Sequence, residues 1–125
     1  MNYLCNSFSI QMLAFNADVS FKKIEASDVM PILTAVTINE ETGATSPGQW
    51  ASAIGHADTA AVLSSILGTT IPMQRINVSL MPADTLVVAQ VTGGRLPEGV
   101  TELPEGVTMQ FWKVTIKATS KRSKL

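Results

Sequence analysis

A chain of 125 residues, 46% of them apolar, fits one domain large enough to bury a core without disulfides or a structural metal. Its 9 Lys and Arg against 10 Asp and Glu leave a net charge of −1, so no protein-wide positive field exists to hold a long nucleic acid, and any polyanion must be bound locally. One Cys and one His exclude an intramolecular disulfide and any ordinary zinc site built from those ligands, and no run approaches the ~20 apolar residues of a membrane span.

The start, Met1-Asn2-Tyr3, lacks the basic region and cleavage site of a signal peptide, so the expectation is a cytoplasmic protein that is not secreted. Asn2 to Cys5 reads as a first strand, with Cys5 a core thiol suited to a reducing compartment. Asn6 to Met12 mixes polar and apolar residues as a loop or a single helical turn does. Val19, Phe21 and Ile24 predict a second strand with Lys22 and Lys23 near solvent. Ser27 reads as the N-cap of a helix carrying Val29, Ile32, Leu33 and Val36, with Pro31 tolerated in its first turn. Residues 39–49, with Gly43, Pro47 and Gly48, read as an internal loop.

Trp50 to Ile54 returns to the sheet. Asp58 or Thr59 then caps a helix with Ala60, Val62, Leu63, Ile66 and Leu67 on its core face, and Gly68 ends it. Arg75 to Leu80 and Thr85 to Val91 are β-rich runs around Met81-Pro82-Ala83-Asp84, which predicts a hairpin. Gly93-Gly94 frees the chain before Arg95. Leu96-Pro97-Glu98-Gly99-Val100-Thr101 recurs seven residues later as Leu103-Pro104-Glu105-Gly106-Val107-Thr108, a duplication too short to be a repeat architecture. Met109 to Ile116 is a last strand. The expected organisation is one mixed α/β domain over residues 1–116, a sheet of about five strands flanked by helices, and a basic tail over 117–125. The final Ser123-Lys124-Leu125 matches a peroxisomal address, a match short enough to arise by chance.

His56 draws the functional reading, because Ser52-Ala53-Ile54-Gly55-His56-Ala57-Asp58 is where a strand passes into a helix. Free N–H groups at a helix start attract phosphate, and Gly55 leaves room for a ligand to approach the main chain. Imidazole, with an ordinary pKa of ~6.5, suits proton transfer near neutrality. A packed or merely exposed histidine is the competing reading.

The ordered set Ser52-Ala53-Ile54-Gly55-His56, Thr59-Ala60-X-X-Leu63, Leu67-Gly68, Ile71-Pro72, Arg75-Ile76-X-Val78 and Arg95-Leu96-Pro97-Glu98-Gly99, preceded by Asn6-Ser7-Phe8-Ser9-Ile10-X-Met12, resembles the viral anti-CRISPR ring nucleases. The resemblance covers about residues 2–100 and implies an α/β homodimer that binds cyclic tetra-adenylate across its interface and cleaves it without metal or cofactor. By the same resemblance His56 is the general acid and Glu98 its catalytic partner. Asn6, Ser9, Arg75 and Arg95 hold phosphates and riboses, and Val78 lines the pocket. Gln11 stands where an asparagine is usual, and Gln90 matches a ligand-contacting glutamine. The Gly93-Gly94 spacing is one residue longer than the family's, which displaces Arg95 relative to the sheet.

The chemistry calls for these residue types. A 2′-hydroxyl attacks the adjacent phosphorus, protonated His56 donates to the departing 5′-oxygen for a gain of ~10²–10⁴ in rate, and arginine forks hold the non-bridging oxygens. A helix N-terminus disfavours a nearby cation, so bound phosphate and Glu98 must support the imidazolium. The expected activity is metal-independent opening of the ring to linear di-adenylate with a 2′,3′-cyclic phosphate, suppressing type III CRISPR defence. The alternatives are a non-catalytic protein that only sequesters the ring, and a viral structural or DNA-associated protein.

Overall fold

Leu86-Val87-Val88-Ala89 is a run of four buried residues, the mark of a strand covered on both faces, and it forms the spine of the sheet. The computed structural model describes residues 1–13, 16–35, 37–38, 41–46, 48–81 and 84–118. Along these run β1 (Asn2–Cys5), β2 (Ala17–Ile24), α1 (Ala26–Leu33), β3 (Thr37–Ile38), β4 (Thr45–Ser46), β5 (Trp50–Ser52), α2 (Ala57–Leu67), β6 (Thr85–Thr92) and β7 (Thr108–Ala118). The principal sheet has five strands in the order β2-β7-β6-β1-β5. β5, β1 and β6 are parallel, whereas β7 is antiparallel to both β6 and β2. This is the expected mixed α/β architecture.

Alternation along the strands splits the core in two. Leu4, Ile24, Val87, Ala89 and Phe111 face Val29 and Leu33 of α1 and Ala60 and Leu63 of α2. Cys5, Leu86, Val88, Val114 and Ile116 face the other way, away from α1 and α2. That second face is covered by Phe8, Met12 and Leu13 from the 3₁₀ turn region and by Val78 and Leu80 from the segment before β6. Burial pushes the Cys5 thiol up to about 12, so it is a packed and unreactive group.

Several local expectations need correction. Arg75 to Leu80 is not a strand: it crosses the second face of the sheet, tied by Leu80 N–H donating to Met12 O (2.7 Å), and burying Val78 and Leu80 outweighs ladder pairing. The antiparallel hairpin is therefore β6–β7, whose ladder runs from Thr85–Thr115 to Thr92–Thr108. Of the expected Met81–Asp84 turn, Met81 N–H donates to the Asp84 carboxylate (2.9 Å), and Pro82 and Ala83 lie outside the described residues. Residues 39–49 overlap a small hairpin, β3–β4, and β5 ends at Ser52 rather than Ile54. The last strand reaches Ala118, opposite Ala17.

α1 is capped by Glu25, not Ser27, and the Asp28 carboxylate accepts from the Glu25 N–H (2.9 Å). Pro31 lies beyond the first turn, where it has no N–H to donate to the Ser27 carbonyl, and the helix ends two residues later. Val36, expected on this helix, lies outside the described residues, as does the tail from residue 119. No helix among the described residues is long and apolar enough to cross a membrane.

Candidate functional site

The three parallel strands deliver their carboxyl ends to one edge of the sheet, the position at which open α/β sheets bind ligands. β5 leads to Gly55 and His56, β1 to Asn6 and Ser9, and β6 to Gln90 and then Arg95.

His56 occupies the N-cap of α2 with extended backbone (φ −129°, ψ 132°), and its carbonyl accepts the first helical bond from Ala60 N–H (3.0 Å). It replaces Asp58 and Thr59 in that role. Its exposed imidazole makes no capping hydrogen bond, which leaves the first N–H groups of the helix and the ring itself facing solvent. A groove of about 400 Å³ opens beside it, lined by His56, Asp58, Thr59, Val91, Arg95 and Leu96 together with Gly94. His56 and Arg95, 39 positions apart, thus share one depression at the helix mouth.

Arg75 arrives by a chain of hydrogen bonds. Gly68 turns the chain at the end of α2 in the left-handed region (φ 70°). Ser64 Oγ accepts from Ile71 N–H (2.8 Å), Ser52 Oγ donates to Pro72 O (2.6 Å), and Gln74 N–H donates to Ile54 O (2.8 Å). Arg75 Nε then donates to Gly55 O (2.8 Å). A Cβ at Gly55 would lie 3.4 Å from Arg75 Cγ, an ordinary contact, so the Arg75 stem packs beside this glycine. The guanidinium is held beside the residue that precedes His56.

Glu98 is brought to the same region by its neighbour. Gly99 N–H donates to Asp58 Oδ1 (3.1 Å), pinning the β6–β7 connection to the first turn of α2. The Glu98 side chain itself is exposed and does not line the groove. Asp58 thus serves as a docking point for the loop, a function that a capping argument over adjacent residues does not reveal.

Asn6 and Gln90 lie on the other face of the same edge. They line a second cavity of about 460 Å³ with Ser7, Phe8, Phe21, Val88 and Trp112. Gln90 Oε1 accepts from Trp112 Nε1 (3.1 Å), and Phe8 packs edge-to-face on Phe21 with ring centres 5.5 Å apart. Ser9 caps the 3₁₀ turn by accepting from Gln11 N–H (3.2 Å), and the Gln11 side chain is exposed. Val78 packs into the second core and lines neither cavity, in contrast to its expected place in the pocket. The predicted residues are therefore divided: His56 and Arg95 share the groove with the Glu98 loop docked beside it, Asn6 and Gln90 line the other cavity, and Arg75 is held on Gly55 O without lining either. Trp112 was not anticipated. Its signal is an aromatic opposite Val88 on the neighbouring strand, legible only once the β6–β7 register is known. Among the described residues no group of three or more His, Cys, Asp or Glu is placed to hold a metal ion.

Comparisons with known proteins bear on this arrangement. The model of the STIV B116-like family matches residues 2–111. Among solved structures the chain is similar to B116 of Sulfolobus turreted icosahedral virus, with a TM-score of 0.65 and 22% identity over 91% of this chain and 97% of that one. A comparison with curated proteins gives no match. The structural likeness supports the fold, and the family match takes in every candidate site residue from Asn6 to Glu98.

Proposed function

The chain belongs to the STIV B116-like family, and from that premise we propose that it is a metal-independent phosphodiesterase that opens cyclic tetra-adenylate to linear di-adenylate, so suppressing type III CRISPR signalling. The supporting observation is the groove at the mouth of α2, where His56 and Arg95 share a wall and Arg75 is tethered one residue away through Gly55. In this reading Arg95 and Arg75 take the non-bridging oxygens of a phosphate lying across the helix start, whose free N–H groups favour the same charge. The ribose 2′-hydroxyl attacks phosphorus and the bond to the 5′-oxygen breaks. Protonated His56 gives its proton to that oxygen, and the product retains a 2′,3′-cyclic phosphate. Glu98 supports the imidazolium once the loop closes on substrate. Two arginines per chain, doubled in a homodimer with the ring at its interface, match four phosphates with four cations despite the small net charge.

A second reading, sequestration without cleavage, is favoured by one observation: the Glu98 side chain stands outside the groove. Single-turnover incubation with the ring separates the two. Linear di-adenylate is expected from the wild-type protein in the presence of EDTA, and His56→Ala is expected to keep ring binding while cleaving at least ~10²-fold more slowly. Tight binding with no product would establish the sequestering protein. A wild-type rate in His56→Ala would remove the general-acid role, and absence of ring binding would remove both readings.

A further inference from the structure

Arg95 differs from Arg75 in how it is held. Arg75 is fixed by its own side chain on Gly55 O, whereas the Arg95 guanidinium makes no hydrogen bond or ion pair among the described residues. With no polar partner to hold its head, its placement depends first on where the backbone starts the side chain, and that backbone follows two consecutive glycines, the most permissive dipeptide available. Left unsupported, such a hinge would scatter a phosphate-binding cation over many directions, with an entropy cost on each binding event.

The second copy of the duplicated hexapeptide supplies the support. Its turn is closed by Val107 N–H donating to Pro104 O (3.1 Å), and its base is tied by the Thr92 and Thr108 hydroxyls (2.5 Å). From there it presses on the hinge. A Cβ on Gly93, which has φ 85°, would lie 2.3 Å from Gly106 O, and one on Gly94 would lie 3.1 Å from Val107 Cγ2. The first copy has no such role: it turns away from the hinge, its Gly99 N–H donating to Asp58 at the start of α2. We infer that Gly106 and Val107 are positioning residues, a stop against which the Gly93–Gly94 hinge closes so that Arg95 faces His56 across the groove. The inference rests on the reading of Arg95 as a phosphate ligand. It gives the second copy of the hexapeptide a purpose distinct from that of the first: it steadies the arginine, while the first docks on α2.

Val107→Ala removes Cγ2 from Gly94 at a half-buried loop position, and Val107→Thr keeps a γ atom of similar size there as a near-isosteric control. In the full chain without ligand, amide exchange over residues 92–97 is expected to quicken at least ~10-fold in Val107→Ala and to stay at the wild-type rate in Val107→Thr. With cyclic tetra-adenylate as the probe, Val107→Ala should bind several-fold more weakly, and Arg95→Ala/Val107→Ala no more weakly than Arg95→Ala alone, because the stop acts only through the arginine. Unchanged exchange in Val107→Ala, or losses that add in the double variant, would overturn the inference. A wild-type protein that ignores the ring would instead overturn the phosphate reading, while the exchange comparison would still decide whether the stop exists.

Discussion

Leu96–Thr101 and Leu103–Thr108 are the same six residues used twice, and the molecule gives them different work. Both fold into a turn with glycine in the left-handed region, φ 82° at Gly99 and φ 80° at Gly106, and both leave open space where a Cβ would stand. Their surroundings then diverge. The first copy reaches across to Asp58 at the start of α2, and the second folds back on Gly93 at its own root. The same local sequence gives a like turn at each glycine, and the position of each copy between its anchors decides what it contacts.

The comparison can be broken most sharply at its two carboxylates. Glu98→Gln is expected to slow single-turnover ring cleavage by ~10²-fold, equivalent to ~2.7 kcal/mol of transition-state stabilisation, while Glu105→Gln leaves the rate near wild type. The reverse ranking would assign the catalytic position to the second copy. Next in size is Gly93→Ala. There a Cβ meets the Gly106 carbonyl at 2.3 Å in a left-handed backbone, and urea denaturation is expected to lose ~2–3 kcal/mol from strain and overlap together. A loss below ~1 kcal/mol would show that the second turn does not press on the hinge. The smallest effects sharpen the likeness between the copies. Gly99→Ala and Gly106→Ala each meet open space, so each should cost only the left-handed penalty of ~1–2 kcal/mol, and the two should agree within ~0.5 kcal/mol.

What the amino-acid order revealed was local. β1, the 3₁₀ turn, the strand-to-helix passage at His56, the glycine stop at Gly68 and the duplicated loop each declare themselves within a few residues. Arg75 to Leu80 misleads because β-branched residues suit any extended segment half-buried on a sheet, paired or not. Pro31 misleads because the true cap lies two residues earlier than the serine that resembles one. The site was legible as a set of residue types and not as an assembly. Asp58 meets Gly99 across 41 positions and Trp112 meets Gln90 across 22, and both contacts follow from a β6–β7 pairing separated by a 15-residue excursion. No periodicity within a window reports such a closure. The division of the predicted ligands between two faces has the same origin, since Gln90 and Val91 are neighbours in sequence and point to opposite sides of one strand.

β2 has a further consequence at the far side of the sheet. Among the described residues it is an eight-residue strand paired on one side only, with Lys22 and Lys23 exposed upon it and Lys22 directly opposite Lys113 on β7. An open strand of that length would ordinarily invite a second chain to continue the ladder. Its charges act on register: an antiparallel copy that sets lysine opposite lysine is opposed, whereas one that sets the exposed Asp18 opposite Lys22 is not. At the opposite margin β5 offers only three residues. The β2 rim is therefore selective in the register it would accept, and the β5 rim leaves little ladder for another chain to extend.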